Sequence, residues 1–142
     1  MDRCLRLEYW YHDTDIVELR VSAWNGSFGG STRLYLAQGE LADTATLLAG
    51  FPVNIKDERE VTFGAFGPNS AGGGMALRFF CRDGAGHCQL HTTIEADYKL
   101  RDSPAERVEF LSSFEPAALD QFVEQMRILD SSLMGSAALA FA

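Results

Sequence analysis

The sequence has few basic residues and no long hydrophobic segment. Its 142 residues include 12 lysines and arginines against 20 aspartates and glutamates, which gives a formal net charge of -8. Such a charge repels phosphate backbones and anionic lipid, so we expect neither a nucleic-acid partner nor a membrane partner. The first residues, MDRCLRLEYWYHD, lack the apolar core of a secretory signal. We therefore expect a cytoplasmic protein.

Cysteine is scarce, and the common catalytic and phosphate-binding motifs are missing. The three cysteines are an odd number in a chain without an export signal, which indicates reduced thiols. The glycines between residues 64 and 74 do not match the G-x-x-x-x-G-K-[ST] phosphate loop. No Ser or Cys nucleophile elbow stands beside His87. We predict no cofactor and assign no catalytic residue.

The apolar patterns that are present predict an α+β protein. Apolar and polar residues alternate along residues 4–11, 17–24, 75–82 and 87–100, as half-buried strands require. Helical spacing of apolar residues marks residues 39–50 and the segment that follows Pro116. We predict a single mostly antiparallel β-sheet of six to seven strands with two α-helices packed on one face. Residues 1–130 form this single domain, and residues 131–142 form a C-terminal apolar tail.

Two hairpins are predicted at the start of the chain. A loop at residues 13–15 keeps the apolar residues of the first two strands on one face. The expected partners are Tyr11 with Val17, Tyr9 with Leu19 and Leu7 with Val21. The Asn25-Gly26 dipeptide predicts a two-residue turn that places Ala23 opposite Phe28 and Glu18 opposite Arg33.

The segment CRDGAGHC, residues 81–88, has the residue types of a metal site but the pattern of a hairpin. Strand alternation places Cys81 directly opposite Cys88, with both thiols on the core side. His87 and His91 point to the other face, and they stand about 13 Å apart at the usual strand rise. A zinc site would require side chains to cross the sheet, so we predict a hairpin and no metal.

The outer face of the first three strands carries the residues that we predict to bind a partner. They are Trp10, Arg20, Trp24, Arg33 and Tyr35, with Arg6 beside them. Exposed aromatic residues among arginines are typical of protein interface hot spots. Two alternatives remain open: a tryptophan packs under a loop or a dimer mate, or cation–π pairing with arginine satisfies the patch internally.

The segments AWNGSFGGSTRLYL, LLAGFP, FGAFG and RDGAGHCQLH occur in this order. In these motifs the chain resembles a family of small bacterial proteins known as a domain of unknown function, over about residues 5–130. The resemblance implies a bacterial cytosolic setting, and it supplies no catalytic residue.

We predict a non-enzymatic protein-binding or accessory domain, comparable to the small acidic immunity proteins that neutralise toxins. One alternative is a small-molecule binder or hydrolase that uses Asp83 and His87 in a pocket between the glycine-rich loop and the DGAGH turn. That alternative requires both loops at the same end of the sheet. Another is a structural homodimer formed through the bare sheet face or an edge strand. The carboxylates of Glu95 and Asp97 are expected on a solvated strand face.

Overall fold

The computed structural model describes residues 2–98, 102 and 104–142, and these residues form eight strands and two helices. In chain order the elements are β1 (Cys4–His12), β2 (Ile16–Trp24), β3 (Gly29–Ala37), α1 (Glu40–Leu48), β4 (Glu58–Gly64), β5 (Gly74–Cys81), β6 (Cys88–Glu95), β7 (Arg107–Phe114), α2 (Pro116–Ser132) and β8 (Ser136–Ala140). The strand predicted over residues 87–100 ends at Glu95, and residues 99 and 100 lie outside the described part.

The strands form two antiparallel sheets of four strands each. The first sheet has the order β3-β2-β1-β8, and the second has the order β4-β5-β6-β7. The α+β class with two helices is confirmed, but the single sheet of six to seven strands is wrong. After β3, the chain leaves the first sheet through α1 and enters the second sheet. Strand β3 itself contacts all four strands of the second sheet. Helix α1 therefore links one sheet to the other along the chain, instead of connecting neighbouring strands of a single sheet.

One hydrophobic core joins both sheets and both helices. Helix α1 buries Leu41, Ala45 and Leu48, and it ends before Gly50, whose φ of 78° suits the left-handed residue that follows a helix. The predicted stripe of α2 is confirmed, since its five apolar residues are all buried: Leu119, Phe122, Val123, Met126 and Leu129. No helix in the described part of the chain is long and apolar enough to span a membrane.

The segment predicted as an apolar tail contains strand β8. This strand pairs with β1, with Leu139 opposite Leu5 and Ala137 opposite Leu7. Leu139 is completely buried in the shared core. On the other edge of β8, the backbone N–H of Ala138 donates to Oε1 of Gln125 at 2.8 Å. Helix α2 thus caps part of an edge that would otherwise be open.

The predicted register of the first hairpin is correct up to Tyr9 and wrong beyond it. Leu7 pairs with Val21 and Tyr9 pairs with Leu19, as expected. A β-bulge then inserts Trp10, so Tyr11 lies opposite Glu18 and not opposite Val17. Tyr11 consequently points outward with 60% of its surface exposed.

The register of the second hairpin differs from the prediction by two residues. The side chain of Asn25 accepts hydrogen bonds from the N–H groups of Ser27 and Phe28, and the Asn25 N–H donates to the Phe28 carbonyl at 3.0 Å. Asn25 therefore precedes the turn instead of occupying it, and Ala23 lies opposite Gly30 instead of Phe28. Because the shift is even, the strand keeps the same inner and outer faces.

Two glycines allow β3 to cross close to the second sheet. The Gly73 N–H donates to the Arg33 carbonyl at 2.8 Å. A Cβ atom at Gly73 would overlap the Thr32 hydroxyl and lie 2.5 Å from the Glu95 carbonyl oxygen. A Cβ atom at Gly64 would lie 2.8 Å from Cβ of Leu34. Side chains at these two positions would push the sheets apart.

The Gly73→Ala variant should therefore lose about 1–3 kcal/mol of unfolding free energy through overpacking at the sheet junction. Gly84→Ala is the matched control, because a Cβ atom at Gly84 has no neighbour within 4 Å. Urea unfolding of both variants measures the difference. Equal stability of the two variants would contradict the close approach.

The Leu139→Ala variant should lose about 2–5 kcal/mol, because it leaves a cavity in the shared core. Met134→Ala, at a residue that is 66% exposed, should change stability by less than about 0.5 kcal/mol. The comparison uses the same urea titration. A small loss at Leu139 would show that β8 adds little to the core.

Candidate functional site

The outer face of the first sheet carries a groove of about 490 Å³. Strand pairing explains its shape, because Arg6 lies opposite Ser22, and Ser22 lies opposite Ser31. The two serines provide a low floor in the middle of the sheet. Longer side chains, among them Arg6, Arg20 and Trp24, line the groove around that floor.

The two arginines give the groove an unusual electrostatic environment for an acidic chain. Among the described residues, neither Arg6 nor Arg20 forms an ion pair with a carboxylate. Glu8 is the register partner of Arg20, yet no such pair forms between them. Asp2 is the carboxylate among the described lining residues. The groove thus combines two guanidinium groups with one carboxylate.

Trp24 forms one side of the groove. It lies opposite Gly29, and a Cβ atom at Gly29 would be 2.9 Å from Cε3 of the indole ring. The ring therefore rests against the Gly29 backbone, and Trp24 is half-buried. Glycine at position 29 lets a large flat side chain lie low on the sheet, where it offers a stacking surface next to the arginines.

Trp10, Arg33 and Tyr35 form a separate cluster on the same face. The Arg33 guanidinium lies 5.1 Å from the centre of the Trp10 ring, and its Nη1 atom is 3.2 Å from Oε2 of Glu18. The strand partner of Glu18 is Tyr35 and not Arg33, so the predicted pairing is wrong, but the ion pair forms diagonally. The Tyr35 ring packs against Gly72, where a Cβ atom would be 2.9 Å from Cδ2.

The five predicted binding residues therefore divide into two groups. Arg20 and Trp24 line the groove, whereas Trp10, Arg33 and Tyr35 contact one another or neighbouring segments of the chain. The prediction did not single out the serine floor or Gly29. Strand alternation identified the outer face, but only the register shows which small residues lie side by side.

A second groove of about 220 Å³ adjoins the first across β3. Gly29, Gly30 and Ser31 line both grooves. The other side of the second groove includes Ala96 and residues 106–108, at the start of β7. Open space therefore continues from the outer face of the first sheet past the edge of β3.

The Cys81–Cys88 segment forms the predicted hairpin. Cys81 lies opposite Cys88, and the Arg82 N–H donates to the His87 carbonyl at 2.9 Å. At the tip, Nδ1 of His87 lies 2.8 Å from Oδ2 of Asp83. Hydrogen bonding with His87 lowers the pKa of Asp83 below its usual value. Among the described residues, no group of three potential ligands is arranged to hold a metal ion.

The glycine-rich loop and the DGAGH turn lie at opposite ends of β5. They do not enclose a common pocket. Glu95 also differs from expectation, because its side chain is only 6% exposed. It accepts a hydrogen bond from the Gly67 N–H at 2.9 Å and pairs with Arg107 at 3.4 Å, so it anchors the glycine-rich loop. Asp97 is exposed as predicted.

Comparison with known proteins adds no relative. The chain matches no protein-family model, no curated protein and no solved structure. The resemblance drawn from its sequence motifs stays a prediction. The candidate site therefore depends on the geometry and charge of the groove.

Two of the three thiols, those of Cys4 and Cys88, should react with iodoacetamide at different rates. Burial, together with the adjacent Cys81 thiol, raises the pKa of Cys88 to about 11, so about one Cys88 in a thousand is a thiolate at pH 8. Cys4 lines the groove and is partly exposed. We expect Cys4 to be alkylated at least about tenfold faster than Cys88. Mass spectrometry of proteolytic fragments measures both rates, with denatured protein as the control. Equal rates in the native protein would contradict the burial of Cys88.

Proposed function

We propose that this protein is a non-enzymatic protein-binding domain that recognises an acidic segment of a partner in the groove of the first sheet. The observation that carries the proposal is the pair Arg6 and Arg20, which lies beside Trp24 without an ion-pair partner among the described residues. A carboxylate from another protein would supply the missing charge, and the indole ring would cover its stem.

Most of the other described arginines are paired within the chain, although Arg3 and Arg82 are not. Carboxylates outnumber basic residues by 20 to 12 in this sequence. Five other arginines form ion pairs with carboxylates of the same chain: Arg33, Arg59, Arg78, Arg107 and Arg127. Arginines that stay unpaired despite this excess of carboxylates are available to a partner. Arginine also suits this role because its planar group binds a carboxylate through two hydrogen bonds.

The lining of the groove favours binding over catalysis. It offers two cations and an aromatic surface, and its described residues include no histidine that would transfer a proton near neutral pH. Asp83 and His87 lie far along the chain in the exposed tip of the second sheet, without a nucleophile in hydrogen-bond contact. An accessory role agrees with such a surface; the comparison with immunity proteins rests on the acidic charge of the whole chain and not on this groove.

A small acidic molecule is the second candidate ligand. The groove volume of about 490 Å³ falls within the range of about 300–1,000 Å³ that is common for small-molecule sites. The homodimer is a third proposal, and the net charge of -8 opposes self-association as it opposes any acidic partner away from the two arginines. The partner protein remains the leading proposal because the groove adjoins a second groove at the edge of β3, so the binding surface is longer than one small-molecule site.

The test is a selection of random displayed peptides on the wild-type protein, on the Arg6→Ala/Arg20→Ala variant and on an Arg78→Ala/Arg127→Ala control. Both variants lose two positive charges, but the control loses arginines that are already paired. We expect peptides rich in Asp and Glu from the wild type and the control. The groove variant should bind the best peptide at least about tenfold more weakly in fluorescence anisotropy.

Alkylation of Cys4 locates the bound peptide, because this thiol lines the groove. A peptide in the groove should slow the reaction of Cys4 and leave Cys81 unaffected. Equal affinity for the wild type and the groove variant would overturn the proposal. Stronger protection of Cys4 by a free dicarboxylic acid than by any selected peptide would favour the small-molecule candidate.

A further inference from the structure

Where β3 borders the groove, some of its backbone hydrogen-bonding groups have no partner among the described residues. The N–H of Asn25 bonds to Phe28, and the N–H of Gln38 bonds to Asp15, at the two ends of the β2–β3 ladder. Backbone N–H and C=O groups alternate between the two edges of a strand, so those of the even-numbered residues of β3 point toward β2. Gly29 and Ser31 fall on the alternate positions, so their N–H and C=O groups point away from the first sheet.

The chain covers only part of this edge. The carbonyl of Arg33, the next residue on the same side, accepts the N–H of Gly73 at 2.8 Å. Strand β3 is the edge strand of the first sheet, and outside the strand ladders no backbone partner for Gly29 or Ser31 is found among the described residues. Ser31 is exposed, and Gly29 is half-buried. Up to four backbone groups are therefore available within three residues.

A groove lies next to these groups, and Val108 closes its inner side against Gly30. The groove of about 220 Å³ runs along Gly29, Gly30 and Ser31, with Arg107 and Val108 on its far side. The same three residues border the larger groove that holds the two unpaired arginines. Neither Gly29 nor Ser31 carries a bulky side chain that would screen the edge.

We infer, on the basis of the function proposed above, that the acidic partner segment binds as an added β-strand along Gly29–Ser31. Its backbone bonds to the free groups of β3, and alternate side chains lie over the outer face of the first sheet. With strands about 4.8 Å apart, the added strand lies about 10 Å from β2. A glutamate on the added strand and Arg20 on β2 span that distance together, across the short side chain of Ser31.

The geometry also limits the length of the recognised segment. Pairing stops at Arg33, because Gly73 already occupies its carbonyl, and it stops at Phe28, where the turn begins. About three residues of the partner therefore pair with β3, so backbone bonds alone give modest affinity. The specificity comes from the acidic side chains that reach the arginines.

The probe is the capped peptide acetyl-Val-Glu-Val-Glu-Val-Glu-amide, added to isotope-labelled protein at millimolar concentration and followed by NMR. The expected result is a shift of the Gly29 and Ser31 amide signals and slower hydrogen exchange at both amides. The matching Val-Gln peptide should bind at least about fivefold more weakly, because a charged hydrogen bond is about twice as strong as a neutral one.

A pair of variants at one position isolates the backbone bond. Ser31→Pro removes an N–H that the β2–β3 ladder does not use, and proline is tolerated on an edge strand. Ser31→Ala removes the hydroxyl but keeps the N–H. We expect Ser31→Pro to bind the peptide about tenfold more weakly than Ser31→Ala does. Thermal unfolding of both variants checks that the fold is kept, and if Ser31→Pro unfolds, peptides N-methylated at alternate residues replace it.

The outcomes separate the two proposals. Shifts at the arginine side chains without any change at the Gly29 and Ser31 amides would overturn strand pairing and leave the proposed function standing. Equal binding to Ser31→Pro and Ser31→Ala would also overturn strand pairing. No shift at either the arginines or the β3 edge, up to the solubility limit of the peptide, would count against both.

Discussion

The whole arrangement depends on how closely β3 approaches the second sheet. Gly64 and Gly73 have no Cβ atoms in the space that Leu34, Thr32 and the Glu95 carbonyl occupy. This contact lets one strand belong to the first sheet and cross the strand ends of the second. The two sheets can therefore share one core, into which both helices pack. The same contact uses the edge of β3 at Arg33, whereas Gly29 and Ser31 have no backbone partner on that edge among the described residues.

The pairing of charges also differs between the regions where the chain packs against itself and the open face of the first sheet. Where the chain folds back on itself, arginines are paired, as in the Arg107–Glu95 contact beneath the glycine-rich loop. On the open part of the first sheet, Arg6 and Arg20 face a groove that the described chain does not fill. Exposed ion pairs add little stability, so the internal pairs matter mainly because they neutralise charge locally. The unpaired arginines keep their full attraction for an external carboxylate.

Local patterns in the sequence identified much of the fold. Alternation assigned the inner and outer faces of β2 and β5, and the opposed Cys81 and Cys88 follow directly from it, but β6 is buried on both faces. The bulge at Trp10 was missed because an inserted residue leaves no mark in a pattern of period two. The register of β3 was missed because Asn25 starts a turn with its side chain as readily as it occupies one.

The division into two sheets could not be predicted for a different reason. It depends on contacts between residues far apart in the chain. These contacts involve glycines whose sequence pattern predicts only a flexible loop. The sequence shows that a glycine lacks a side chain, but not which distant backbone will use the space. The groove could not be predicted for the same reason, because Ser22 and Ser31 form its floor only when the strand register places them side by side. Arg20 and Trp24, which line the groove, were named as candidates because arginine and tryptophan are common residue types at protein interfaces.

The position of β8 gives the first sheet a strand pairing between residues far apart in the chain. Strand β1 lies between β2, its neighbour in the chain, and β8, which pairs Ala140 with Cys4. The first three strands form a local meander, but one edge of β1 is covered only when residues 136–140 pair with it. Closing so long a loop has a large entropic cost, and contacts between distant residues slow folding. The first sheet thus begins with the earliest hairpin and is completed by one of the most distant pairings in the chain.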